Sequence, residues 1–259
     1  MKYKITSLLL MAGVFGAFAQ STSLLHTIEG LTACESAVYS SKDNIIYASV
    51  IGNQKPGDGS IATVSIDGKL INHDFIDGLE DPKGIAITED KLYVSDVTVL
   101  VEADRKTGEV IKRHTTKGVT FLNDVVIASD GNIFVSDTRN SEIYVLDKTG
   151  DFKLWLKDKK LDNPNGLLIK ENTMYVASWG GSPKGGAVLK INMDTKEIAP
   201  ISEKIGNLDG IRPYDNNHLI ISDWRSGKIH LLNLSDKTSK EILTVDYSCL
   251  LYTSPSPRD

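Results

Sequence analysis

Four polar residues at matching points of a repeat, Glu35, Asn123, Asn165 and Asp209, are the part of this sequence best suited to chemistry. Each stands just ahead of an apolar, alternating run. Two carboxylates and two side-chain amides brought to one point form an oxygen-rich donor set of the kind that holds a hard divalent cation. The plainer alternative is turn chemistry: Asn123-Asp124, Asn165-Gly166 and Asp209-Gly210 could simply begin strands. That account leaves out Glu35, since glutamate is not a favoured turn residue. Two carboxylates about 4 Å apart also repel by roughly 4 kcal/mol at an effective dielectric near 20. They need a cation, a shared proton or a neighbouring ammonium, and Lys83, at the fifth equivalent position, could supply the last of these.

The elements that must position these residues repeat along the chain. Residues 35–49 read E-S-A-V-Y-S-S-K-D-N-I-I-Y-A-S, 83–96 read K-G-I-A-I-T-E-D-K-L-Y-V-S-D, and 123–137 read N-D-V-V-I-A-S-D-G-N-I-F-V-S-D. Residues 165–178 read N-G-L-L-I-K-E-N-T-M-Y-V-A-S and 209–223 read D-G-I-R-P-Y-D-N-N-H-L-I-I-S-D. Every copy has a polar start, a short apolar strand, a turn, and a second apolar strand ending in Ser or Asp. Third strands are expected over 60–66, 99–103, 142–147, 187–192 and 228–233. Asp67-Gly68, Thr107-Gly108 and Thr149-Gly150 then supply the turns to a fourth. No stretch beyond the first residues keeps a 3.6-residue apolar period long enough for a helix. Short antiparallel strands recurring every forty-odd residues predict an all-β fold, a β-propeller. In a propeller the first strand of each blade lines the central channel, so Glu35, Lys83, Asn123, Asn165 and Asp209 should face one axis.

These motifs resemble the gluconolactonase–regucalcin family of six-bladed β-propellers over about 35–245. Glu35 in E-S-A-V-Y matches the family's first-blade glutamate, Asn123 in F-L-N-D-V its N-D asparagine, Asn165 in P-N-G-L its N-G-L asparagine, and Asp209 in L-D-G-I its D-G aspartate. The resemblance implies a divalent cation, Ca2+ first with Zn2+, Mn2+ or Mg2+ as alternatives. Its ligands would be Glu35, Asn165 and Asp209, with Asn123 at substrate or metal-bound water. It also implies hydrolysis of a lactone or similar small cyclic ester, with Asp209 accepting a proton and Lys83 stabilising negative charge. Phe121 stands where the family often carries an arginine, which points to a more apolar ligand, or to none. The P-K-G-I segment at Lys83 and the Ser-Asp strand ends also resemble non-catalytic scaffold propellers of the NHL type, the alternative reading. A lyase or synthase using the same channel is a third. Six blades would place the last one beyond residue 248, so that this chain carries about five four-stranded blades and a C-terminally truncated ring, with 23–28 completing the sixth.

The remaining features bound the context. A net charge of −5 with scattered lysines offers no footprint for nucleic acid or an anionic membrane, leaving a small molecule as the expected partner. Lys2, Lys4, an apolar stretch to Phe18 and Ala17-Phe18-Ala19 form a signal peptide over 1–19. The mature chain is therefore expected to be exported, periplasmic or extracellular, and free of the membrane. The propeller domain spans 20–248. Residues 249–259 break the repeat and resemble translated sequencing-adapter sequence rather than native chain, so no disulfide between Cys34 and Cys249 is inferred. Asp96, Asp137 and Asp223 are expected to close turns within blades, and Trp179 and Trp224 to pack or line the channel rim. The glycine-rich run 180–186 joins two strands and precedes no helix, so it is not a phosphate loop.

Overall fold

The computed structural model describes residues 5–8, 24–53 and 55–245. The signal-peptide boundary and the run 249–259 lie outside the described residues. Two short strands, β1 (Ile5–Leu8) and β2 (Leu24–Ile28), pair antiparallel. Five four-stranded antiparallel blades follow. Blade one is β3 (Cys34–Ser40), β4 (Ile45–Val50), β5 (Gly59–Ser65) and β6 (Leu70–Leu79). Blade two is β7 (Pro82–Ile87), β8 (Lys91–Asp96), β9 (Val99–Asp104) and β10 (Val110–His114). Blade three is β11 (Leu122–Ile127), β12 (Ile133–Asp137), β13 (Glu142–Leu146) and β14 (Phe152–Lys157). Blade four is β15 (Pro164–Lys170), β16 (Thr173–Ser178), β17 (Val188–Asn192) and β18 (Ile198–Pro200). Blade five is β19 (Leu208–Pro213), β20 (His218–Asp223), β21 (Lys228–Asn233) and β22 (Ser239–Thr244). Over the described residues the fold is thus an all-β propeller with five blades of four strands.

Chain order equals spatial order within every blade, because each connection is a hairpin between neighbours. The middle strands are apolar on both faces and buried on both, as in β12 and β13. Their side chains fill the cores between blades. Val94 and Val101 of blade two pack with Tyr47 and Ile61 of blade one. Leu167 and Val176 of blade four pack with Phe134 and Ile143 of blade three. Burying each such side chain contributes about 1.5–3 kcal/mol relative to leaving it in water. The fourth strands are mostly exposed, as in β6 and β22. Inner strands of successive blades pack directly in the order β3, β7, β11, β15, β19, whereas β19 and β3 do not pack together in that way.

Two expectations need correction. Residues 24–28 do not join a four-stranded blade: β2 pairs with β1 alone, and Ile28 packs against the outer face of blade one with Ala48 and Val64. Asp96, Asp137 and Asp223 do more than close turns. Their carboxylates accept backbone N–H groups from the connection that leads into their own blade's first strand: Glu80 and Asp81, Thr120, and Asn207, respectively. A buried carboxylate does this well because it offers several acceptor sites to N–H groups that no ladder serves. One short 3-10 turn, Lys159–Leu161, is the helical element among the described residues.

Candidate functional site

Every inner strand begins with the same irregularity. The register between first and second strand shifts between Cys34 and Ala37, Pro82 and Ile85, Leu122 and Val125, Pro164 and Leu167, and Leu208 and Ile211. Such a bulge bends the strand, re-aims side chains and takes an N–H out of the ladder. Glu35, Lys83, Asn123, Asn165 and Asp209 are each the first residue within the shifted stretch. Serines of the second strands serve the amides that the ladder leaves. Ser36 N donates to Ser49 Oγ at 2.9 Å, Asp124 N to Ser136 Oγ at 3.0 Å, and Gly210 N to Ser222 Oγ at 3.1 Å. Two second-strand serines reach the next blade: Ser136 Oγ donates to Asn165 O at 2.7 Å, and Ser95 Oγ donates to Asn123 O. The recurring strand-end serine is therefore the second half of the axial motif.

The residue after the axial one is small because neighbouring backbone crowds it. A Cβ on Gly166 would stand 2.3 Å from Asp209 O, and one on Gly84 2.6 Å from Asn123 O. Asp124 is the exception. Its Oδ2 accepts Leu167 N of the next blade at 2.8 Å, its Oδ1 accepts Val125 N at 2.9 Å, and Arg212 Nη1 lies 3.6 Å from Oδ2.

Glu35, Asn123, Asp124, Asn165, Asp209 and Arg212 line one cavity, with the glycines between them. It has room for a single water-sized occupant. All four residues predicted from the repeat are thus brought together. Asn165 Nδ2 donates to Asp209 Oδ1 at 2.7 Å, and Asn123 Nδ2 to Thr138 Oγ1 at 3.3 Å. Lys83 sits beside this cavity and lines a second, wider basin with Ile51, Lys55, Asp81 and Val97. Its buried ammonium donates to Asp81 Oδ1 at 2.9 Å. Phe121 is not among the cavity's lining residues. Its ring carries the Lys83 Nζ at 5.1 Å from the centroid and the Arg139 Cζ at 4.3 Å. Asp124 and Arg212 were missed from sequence. The available signal was a charge inside an otherwise apolar strand start, in L-N-D-V-V-I and L-D-G-I-R-P.

Burial dominates the electrostatics. It pushes the Glu35 carboxyl up to about 8; Lys83 opposes this, and Asp209 and Asp124 reinforce it. It pushes Asp209 up to about 7, reinforced by Asp124 and opposed by Lys83 and the Asn165 amide. Both groups are thus held in an environment that disfavours their negative form, which a cation would reverse. Among the described residues, no three His, Cys, Asp or Glu side chains gather into a metal-holding group. A cation here would therefore depend on two carboxylates and the amide oxygen of Asn165, whose Nδ2 is committed to Asp209. That set of hard oxygen donors fits Ca2+ or Mg2+ chemistry better than a thiophilic metal.

Comparison with known proteins shows the fold. No family model matches the chain, and no curated protein matches it in sequence. Among solved structures, a gluconolactonase from Xanthomonas campestris superposes with a TM-score of 0.64 at 17% identity, over 85% of this chain and 80% of that one. A virginiamycin B lyase from Staphylococcus aureus, bound to quinupristin, gives 0.60 at 13% identity over 82% and 84%. A streptogramin B lyase gives 0.59 at 13% identity over 81% and 82%. The chain therefore shares a propeller fold with proteins of gluconolactonase and lyase activity.

Proposed function

We propose that the protein is an exported, metal-dependent hydrolase of a lactone or similar small cyclic ester, working at the central channel. The observation that carries this reading is the meeting of Glu35, Asn165 and Asp209 at one small cavity, with both carboxyls pushed well above their ordinary range. Glu35, Asn165 and Asp209 would hold one divalent cation, Ca2+ first. Bound there, the cation would polarise the ester carbonyl and acidify water. Asp209 would accept the proton of the attacking water. Lys83 supplies positive charge beside the site, and Asn123 and Phe121 contact substrate. The likeness to a gluconolactonase supports a hydrolase on this fold. The interval between blades five and one, where β19 and β3 do not pack together, supports a six-bladed ring whose last blade lies beyond this sequence.

The test is lactone hydrolysis with Ca2+ or chelator, by the wild-type chain and Asp209→Ala. Loss of at least about a hundred-fold in kcat in the variant is expected for a lost proton acceptor. Equal turnover by the two would refute the mechanism. Mass analysis separates hydrolysis, whose product is heavier by one water, from lyase elimination, whose product is an isomer.

A second reading is a non-catalytic binding or scaffold propeller. The Lys83–Asp81 pair supports it, because an ammonium already on the axis offsets part of the carboxylate charge without a metal. Unchanged melting behaviour across Ca2+, Mg2+, Mn2+ and Zn2+, with no lactone turned over, would favour that reading.

A further inference from the structure

The rim of the channel carries information that the polar cavity does not. The position just after each second strand is Ile51, Val97, Thr138, Trp179 and Trp224 in blades one to five. In four blades its N–H donates to the carbonyl two residues before the axial residue: Ile51 to Ala33, Thr138 to Phe121, Trp179 to Asn163, and Trp224 to Asn207. The backbones of these residues therefore lie beside the starts of the inner strands, at the same end of the blades as Glu35, Asn123, Asn165 and Asp209. Four of the five are apolar.

The two tryptophans meet across blades four and five. Their ring centroids lie 5.2 Å apart at an interplanar angle of 51°. Trp179 is half-buried, and Trp224 is 42% exposed. The other exposed large apolar side chains among the described residues lie away from the mouth, on β2, at the β5–β6 turn or on the fourth strands β6, β10 and β14. The pair is held rigidly. Asn207 Nδ2 donates to Trp179 O at 3.0 Å. Next to Trp179, Gly180 adopts φ +80°, and a Cβ there would stand 2.1 Å from Gly185 backbone. The glycine-rich loop thus packs its own backbone tightly next to Trp179. The nearby amides are committed to loop backbone rather than aimed at a solute: Asn163 Nδ2 donates to Thr138 O, and Asn140 Nδ2 to Gly118 O.

Resting on the hydrolase reading, we propose that Trp179 and Trp224 form a substrate platform that selects an aryl lactone over a polyhydroxylated sugar lactone. The indole faces take the flat apolar ring, while the lactone group points down to the polar cavity. Preformed aromatic surface recognises a planar ring at little entropic cost, and a ring pair gains beyond simple area burial. A sugar lactone would instead need several free donors and acceptors on the rim to replace water.

The experiment compares 3,4-dihydrocoumarin with glucono-1,5-lactone, using the full chain and the variants Trp224→Ala, Trp224→Phe and Trp179→Ala. Calorimetric titration of dihydrocoumarin into Asp209→Asn reads binding apart from turnover. Wild type should prefer the aryl lactone. Trp224→Ala should raise its KM about ten-fold with kcat retained, leaving the sugar lactone within about two-fold, and Trp224→Phe should keep most of the preference. Equal losses on both substrates, or a wild-type preference for the sugar lactone, would overturn the platform. Calorimetric binding that depends on Trp224, without turnover of either lactone, would overturn the hydrolase reading and leave the platform standing. Absence of dihydrocoumarin binding would overturn the platform.

Discussion

Carboxylates at the axis and carboxylates at the outer hairpins obey opposite rules in this molecule. Asp209 is buried and Glu35 half-buried, with other acids near them, and their carboxyls are pushed up to about 7 and about 8, respectively. Asp67 and Asp147 sit in exposed turns between third and fourth strands. Lys69 and Ser65 hold Asp67 down at about 2, and Lys153 and Thr149 hold Asp147 below the usual carboxylate range. The outer acids are ionised because water and local donors make the charge cheap. The axial acids are placed where charge is costly until a counter-ion arrives. The same residue type is thus a turn former at the periphery and a latent cation ligand at the centre.

The contrast breaks first at the backbone that creates the axis. Gly166→Ala forces a Cβ against Asp209 O and Gly210 Cα, so the strand approach at the bulge must open. A loss of about 1–3 kcal/mol is expected, read as a lower denaturation midpoint with an unchanged slope. A midpoint equal to wild type would show that the inner strands are not held as closely as described.

A second effect, spread over several pH units, follows from titration of the axis. Glu35 and Asp209 have folded values raised above their ordinary 4.5 and 3.8. The native state therefore binds protons more tightly than the unfolded chain, and stability falls as pH rises between those ranges. In chelator, each group contributes a slope of at most about 1.4 kcal/mol per pH unit, with the loss complete once pH passes about 8, the folded value of Glu35. Saturating Ca2+ should flatten the curve. A melting temperature in chelator that rises from acid to neutral pH, with no acid-side maximum, would contradict the electrostatics of the axis.

The smallest effect lies at the periphery. Asp147→Asn removes an exposed carboxylate whose partners, Lys153 and Thr149, are already solvated. Its melting temperature should match wild type at moderate salt, because exposed ion pairs are screened and contribute little. A clear drop would mean that the outer hairpins are held by charge and not by their turns.

Much of this was legible in the chain. The polar starts of 35, 123, 165 and 209, the paired apolar runs and the Asp-Gly or Thr-Gly turns were enough for blades and for an axial cluster, since alternation and turn chemistry are local properties. Third strands fell within a residue or so of their expected bounds. Asp124 and Arg212 were legible only as charges in apolar strand starts; their approach to the axis depends on a bulge and on the neighbouring blade's backbone. The serine near the end of each second strand read only as a strand end. Its role linking one blade's bulge to the next became visible only when the blades stood side by side.

By itself, then, the sequence determined the all-β repeat, its punctuation and the identity of the residues at each blade's start. Those follow from side-chain period and backbone preference over a few residues. The tertiary structure decided which polar groups share one cavity, which carboxyls are pushed up, and that two tryptophans from successive blades meet. These are consequences of burial and of distances between residues more than forty positions apart, and nothing local to either partner encodes them.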